Sequence, residues 1–386
     1  MADWQTVSLG DALTFQRGFD ITKDEQRDGP YPVISSSGPK TNHAEFKVRG
    51  PGVIIGRKGS LGTVFYSDSD YWPHDTTLWI KDFHGNHPRF AYYFLQTMGF
   101  ERLDAGASNP SLNRNHIHTI PVRFPPLPVQ RRIAGILSAY DELMENSQRR
   151  IRLLEAMARA LYREWFVHFR FPGHEKHPRV ASPLGDIPQG WEVKSIQQFG
   201  TVITGKTPSK ANADFYGNDV PFVKTPDMHG NMFILGTSDC LSTAGAESQA
   251  NKTLPAGSIC VSCIGTIGVV SITTEGCQTN QQINSVVLTN PASREFLFLR
   301  LLDSKQALEN LGANGATMGN VNKGKFEAME IVCPSDDVLA RYHRLVEPMF
   351  SEILGLFRQI QNLRRTRDLL LPRLLSGQVE LETEAV

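Results

Sequence analysis

The segment IAGILSAYDELMENSQRRIRLLEAMARALYREW, from Ile133 to Trp165, decides the architecture. Within it Ile133, Leu137, Tyr140, Met144, Ser147, Ile151, Leu154, Ala158, Leu161 and Trp165 step alternately by four and three. That heptad spacing puts every member on one stripe of a helix, interrupted only by the hydroxyl of Ser147. At 1.5 Å per residue, a helix over roughly 129–168 is about 60 Å long, and so long an apolar stripe needs a partner. The chain supplies one in Tyr342, Val346, Met349, Ile353, Leu356, Ile360, Leu363, Arg367, Leu370 and Leu374, a second seam broken by Arg367. Pro348 and Pro372 are expected to bend this second helix or to mark its ends, because proline lacks the amide and crowds the preceding turn.

Working outward, the whole sequence is written twice. Trp4, Leu9 and Gly18 meet Trp191, Ile196 and Gly205 at an offset of 187. VIIGRKGSLGTV from Val53 meets ICVSCIGTIGVV from Ile259 at 206, so Gly59 and Gly62 fall on Gly265 and Gly268. Asn113, Ile117, Val122 and Pro125 meet Asn322, Phe326, Ile331 and Pro334 at 209, and that offset runs on to Trp165 and Leu374. Each repeat is therefore a globular part followed by a long helix. The globular parts, 1–125 and 183–334, mix short β-branched runs with Gly, Pro, Asn and Ser and read as α+β with many loops. The remaining stretches, 126–182 and 335–386, hold the two helices, a linker and a tail. The simplest closure runs the second helix back antiparallel to the first. This predicts an α+β fold of two similar lobes separated by two long antiparallel coiled-coil helices, with a pseudo-two-fold axis.

Several function classes fall away. The 386 residues carry 40 Lys and Arg against 40 Asp and Glu, so a nucleic-acid-binding role requires basic groups gathered on one face or supplied by partners. No run of about 18 apolar residues predicts a membrane span, and the first residues lack the pattern of a signal peptide. A cytoplasmic protein is the expectation. Five cysteines, with Cys260 and Cys263 as a lone C-x-x-C in a strand-like stretch, read as buried thiols rather than a metal site. GTVITGKT (Gly200–Thr207) matches the phosphate-binding loop G-x-x-x-x-G-K-[ST]. Pro208 follows at once, however, where the helix carrying the phosphate-facing amides would begin, and the four spacer residues are strand formers. Gly205 also maps onto Gly18, where no Gly-Lys-Thr exists. No catalytic metal site is expected, and neither G-x-S-x-G, H-E-x-x-H nor the tetrapeptide of an adenine methyltransferase occurs.

The sequence resembles the DNA-specificity subunit of type I restriction-modification systems. The likeness rests on ITGKTPSKANADFYGNDVPFVKTPDM, on VSCIGTIGVV with TNQQINSVV, on IGRKGSLGTVFY with HDTTLWI, and on the helices FPPLPVQRRIAGILSAYDELMENSQRRIRLLEAMARALYREWF and LRRTRDLLLPRLLSGQVEL. It covers nearly the whole chain. The resemblance implies two target recognition domains, each reading one half of a split double-stranded DNA target, with the helix pair setting the gap and docking two modification subunits. It implies no catalysis and no cofactor in this chain. S-adenosylmethionine belongs to the adenine-N6 methyltransferase partner, and ATP and Mg to the restriction partner.

Base readout uses Arg, Lys, Asn, Gln, Ser and Thr on protruding loops. In lobe one the candidates are Ser36, Ser37, Lys40, Arg57, Lys58, Ser60, His74, Thr76, Asn109, Ser111, Asn113 and Arg114. In lobe two they are Lys206, Thr207, Lys210, Lys224, Thr225, Ser262, Thr266, Asn280, Gln281, Gln282, Asn320, Asn322 and Lys323. The alternative for each is a solvated or turn-capping side chain, and for Asn113 and Asn322 a turn role is as good a reading as base contact. Arg131, Arg132, Arg149, Arg150, Arg152 and Arg159 lie off the seam and form a solvated face by default, a docking face, or both. Two other readings stay open: a coiled-coil scaffold that never reads DNA, and a nucleotide hydrolase built on GTVITGKT.

Overall fold

The computed structural model of the chain describes residues 4–103, 111–313 and 319–379. Two compact units emerge, Met1–Asn146 with Ile360–Val386, and Ser147–Gln359. The division passes through both long helices instead of following the composition boundaries near 125, 182 and 334. The reason is packing: each lobe shares its core with the helix segments beside it.

In the first unit, Thr14–Arg17, Thr77–Asp82, Gly52–Gly56 and Val64–Ser67 form a four-stranded antiparallel sheet in that order. Gly38–His43, Tyr31–Ser35 and Trp72–Pro73 form a second sheet, and Gln5–Ser8 pairs with Pro121–Phe124. In the second unit, Gly200–Thr204, Ile283–Leu288, Ile259–Ser262, Val270–Thr273 and Phe233–Ile234 form the corresponding sheet, longer by one strand. Asp239–Leu241, Tyr216–Val223 and Gln278–Thr279 form its companion, and Glu192–Ser195 pairs with Glu330–Cys333. The repeat survives down to register. Arg17 faces Leu78 as Thr204 faces Asn284, and Gly56 faces Thr77 as Ser262 faces Ile283.

The long helices span Leu127–Tyr162 and Asp336–Leu375. Pro128 is tolerated in the first turn of one, where the amides are unpaired anyway. Asp336 and Asp337 open the other, where carboxylates suit the positive end of the helix dipole. The second helix continues through Pro348, so that proline marks no end. It stops at Leu375, just beyond Pro372, where Gly377 takes a left-handed φ of 74° and Gln378 donates back to the Arg373 carbonyl. A Cβ on Gly377 would lie 3.3 Å from the Trp4 ring.

In each unit the helix segments run antiparallel. In the first, Ile133 and Leu137 share one hydrophobic cluster with Leu374, Leu375, Phe90, Phe94 and Phe124. Further along, Arg367 Nη1 donates to Asp141 Oδ1 at 2.5 Å, and Tyr93 Oη donates to the same carboxylate. The seam-breaking arginine is thus paired inside the interface. In the second, Arg150 pairs with Glu352, and Tyr342 Oη donates to the Ala158 carbonyl at 3.4 Å. Rings from lobe and helices interlock there: Phe166 meets Phe296, Tyr342 and Trp191, and Phe350 meets Phe298 and Phe233 edge-on.

Of the seam residues, Ile133, Leu137, Ser147, Ile151, Ala158, Trp165, Tyr342, Val346, Ile353, Leu356, Ile360 and Leu374 are buried. Tyr140, Met144, Leu154, Leu161, Met349, Leu363, Arg367 and Leu370 are half-buried. Phe350, outside the heptad count, is wholly buried. Among the described residues, no helix is long and apolar enough to cross a membrane, and no cluster of three or more His, Cys, Asp or Glu side chains could hold a metal ion.

Candidate nucleic-acid interface

The loops that carry the candidate side chains are held by main-chain bonds, and both lobes use the same ones. After the central strand of lobe one, the chain turns through Gly59 and Gly62 at φ of 76° and 71°; Gly265 and Gly268 do the same in lobe two at 76° and 84°. Side chains rarely adopt that backbone conformation, so these glycines make the turn. Just before it, the Arg57 carbonyl accepts from Leu112 N–H and Lys58 bridges Ser111. In lobe two the Cys263 carbonyl accepts from Val321 N–H and Ile264 bridges Asn320. A second loop joins on: Arg57 N–H donates to the Thr76 carbonyl as Cys263 N–H donates to that of Gln282. A segment some fifty residues away in sequence is thereby clamped beside the glycine turn in each lobe.

The phosphate-loop lookalike belongs to this framework. Gly205 N–H donates to the Ile283 carbonyl and Lys206 N–H to that of Thr279, as Gly18 and Phe19 donate to Thr77 and Pro73. A Cβ on Gly205 would sit 2.1 Å from the Asn280 carbonyl oxygen, and one on Gly18 2.1 Å from that of His74. The glycine is therefore there for close backbone approach. No helix opens after Thr207: the chain is irregular up to a single 3-10 turn at Ala213–Phe215. The array of amides that would cradle a phosphate does not form.

On lobe one, a cleft is lined by Arg17, Arg57, Leu78, Ser111, Leu112, Asn113 and Arg114. Arg57 Nη1 donates to the Asp75 carbonyl at 3.3 Å, and Arg17 Nη2 to the Asp75 carboxylate at 3.0 Å. Arg114 and Lys58 have no side-chain partner among the described residues. His74 Nδ1 lies 3.0 Å from Thr76 Oγ1. Ser36 is buried, its carbonyl accepting from Thr63 Oγ1 at 2.6 Å, while Ser37 and Ser60 are exposed on neighbouring turns. Asn113 caps the helix Arg114–His118, its side chain accepting from Asn115 N–H. Lys40 stands apart on the strand Gly38–His43, and Asn109 lies outside the described residues. Arg17 is missing from the candidates read from sequence, where its only mark is its place beside Gly18 in the repeat.

On lobe two the same positions are filled differently. Thr204 replaces Arg17 and donates to Asn284 Oδ1 at 2.6 Å, and Asn284 donates to the Val321 carbonyl at 3.2 Å. Cys263 replaces Arg57 and is buried, which pushes its thiol up to about 11. The polar groups instead sit on the flanking loops. Thr207 Oγ1 donates to Gln281 Oε1 at 2.6 Å, and Asn280 Nδ2 to Gln282 Oε1 at 3.0 Å. Lys206, Lys210, Thr266 and Gln281 are exposed. Buried Gln249 braces this loop by donating to the Lys206 carbonyl at 2.8 Å. Ser262 is fully enclosed, its hydroxyl accepting from Val269 N–H at 2.9 Å, and Thr225 and Asn280 are buried too. Lys224 pairs with Asp239, Lys323 with Glu327 at 3.3 Å, and Asn322 caps the helix Lys323–Glu327.

Comparison with known proteins places this arrangement. The sequence profile described as the type I restriction modification DNA specificity domain matches twice, over residues 1–156 and 188–338. The type I restriction enzyme HindI specificity subunit of Haemophilus influenzae is 29% identical, over 98% of this chain and 100% of that protein. The MjaIX specificity subunit of Methanocaldococcus jannaschii is 25% identical over 76% of this chain and 69% of its own. The crystal structure of a type I restriction-modification S subunit from M. genitalium superposes with a TM-score of 0.69 at 13% identity, covering 99% of this chain and 97% of that one. The chain belongs to the type I restriction-modification specificity-subunit family.

Proposed function

We propose that this chain is the non-catalytic reader of a type I restriction-modification complex, each lobe recognising one half of a bipartite double-stranded DNA target. The observation that carries this reading is the duplicated loop framework: identical main-chain clamps in the two lobes hold unlike sets of polar side chains at one rim. A scaffold reused with different hydrogen-bonding groups is what recognition of two different short sequences requires. The helix pair sets the distance between half-sites and docks two modification subunits. Those partners bring the adenine methylation with S-adenosylmethionine, and the restriction subunits bring ATP, Mg and cleavage. The C-x-x-C pair is a poor nucleophile, since burial pushes Cys260 and Cys263 up to about 12 and about 11. Neutral overall charge fits a reader whose partners share the neutralisation of phosphates.

The test is to express the chain with its modification subunits and sequence the methylated DNA. One split target is expected. Exchanging the lobe-one loop residues at 57–60 should change one half alone, and exchanging 206–210 the other alone. Simultaneous change of both halves by either exchange would overturn the assignment of one lobe to one half.

A further inference from the structure

Arginine is distributed unevenly between the lobes. Residues 183–334 contain only Arg294 and Arg300, and both sit on the helix around Arg294–Asp303, where Arg294 pairs with Glu295. The lobe-one cleft alone gathers Arg17, Arg57 and Arg114. Their surroundings differ. Arg17 is committed to the Asp75 carboxylate, with Asp20 3.6 Å away. Arg114 is exposed at the first position of a short helix. Arg57 is the pre-positioned one. Its amide and carbonyl are both tied into the clamp, it is half-buried, and one of its five guanidinium N–H groups is fixed on the Asp75 carbonyl rather than on a carboxylate. It keeps its charge and most of its donors in a defined orientation.

A planar fork held this way matches the O6 and N7 acceptors of guanine in the major groove. Resting on the two-half reading above, we infer that Arg57 is the specificity-determining residue of lobe one and reads a guanine. Arg114 and Lys58, exposed or half-exposed and unpaired among the described residues, take the flanking phosphates, and Arg17 stays with Asp75 to shape the floor. Lobe two, with no arginine at its rim, reads through carboxamides and hydroxyls, foremost Gln281.

The test uses the complete complex with its modification subunits and duplexes carrying its own target. In the half-site altered by Arg57→Gln, one guanine should be required. Replacing it by 7-deazaguanine, which removes the N7 acceptor, should weaken binding by the unaltered complex about tenfold or more. Arg57→Gln should abolish that discrimination and leave the other half untouched, and Arg57→Lys, which keeps the charge and loses the fork, should fail to restore it. Uniform weakening on all sequences, rescue by Arg57→Lys and a salt slope smaller by about one would make Arg57 a phosphate contact and overturn the inference. If Arg57→Gln does not assemble, the unaltered complex decides: tolerance of 7-deazaguanine at every target guanine overturns it, and intolerance at one sustains it. Failure of the two-half reading looks different, because the unaltered complex would then recognise no split target at all.

Discussion

At the rim of lobe one stand Arg17, Arg57, Lys58 and Arg114; the same positions of lobe two hold Thr204, Cys263, Ile264 and Lys323. Beneath them the bonds coincide, from the Lys58–Ser111 bridge and its counterpart Ile264–Asn320 to the capping asparagines Asn113 and Asn322. The contrast separates two jobs that side chains and main chain do. Amides and carbonyls, which every residue has, fix the loops; side chains, relieved of that duty, are free to differ. Where lobe two has no cleft-lining arginine, Thr204 and Asn284 bond across the space that Arg17 and Leu78 border in lobe one.

The comparison can be tested where the lobes should agree. Gly18→Ala and Gly205→Ala each place a methyl group 2.1 Å from a carbonyl oxygen, and each should destabilise its own lobe by about 3 kcal/mol, read as a drop of several degrees in thermal midpoint. Tolerance at only one of them would show that the frameworks are not equivalent. A smaller effect is expected where the units differ inside the helix pair. Under the 209 offset, Asp141 corresponds to Phe350 and Arg367 to Ala158, so one unit carries an ion pair where the other carries apolar residues. Arg367→Ala, which leaves Asp141 half-buried without its cation, should cost about 1–2 kcal/mol in denaturant unfolding. Adding Asp141→Phe, the residue at the matching position, should recover part of the loss, because an apolar replacement removes the stranded charge.

The smallest effect concerns acid. His118 Nε2 accepts from Phe15 N–H at 3.0 Å, so the ring must be neutral there, and burial followed by the nearby Arg114 charge lowers its pKa. A folded value below the unfolded one means that this contact contributes fully above about pH 6.5 and is lost as the pH falls below it. Lobe two has Glu327 at that position. Hydrogen exchange, corrected for intrinsic rates, should show the Phe15 amide losing protection as the pH falls below about 6.5 while Gly200–Thr204 holds. His118→Gln should flatten the response.

Much of this was legible in the sequence, and for a physical reason. Periodicity reports burial, so the seams from Ile133 to Trp165 and from Tyr342 to Leu374 could be read directly, and self-similarity at three offsets exposed the two lobes. Pro208 was enough to tell Gly205-Lys206-Thr207 from a phosphate loop, since it removes the amide a helix start would present. What could not be read depends on contacts between distant segments. Nothing local marks Ser262, Thr225 or Asn280 as enclosed, because their burial comes from strands and turns laid over them. Arg17 enters the cleft only because Thr14–Arg17 pairs with Thr77–Asp82. Arg367 reads as a defect in the seam, because its partner Asp141 stands 226 residues earlier in the chain.

Trp4 lies against Gly377, near the far end of the second helix and in the same unit. Two places far apart in the sequence thus seal one unit, and a cross-link between them would hold it shut without touching the loops at its rim.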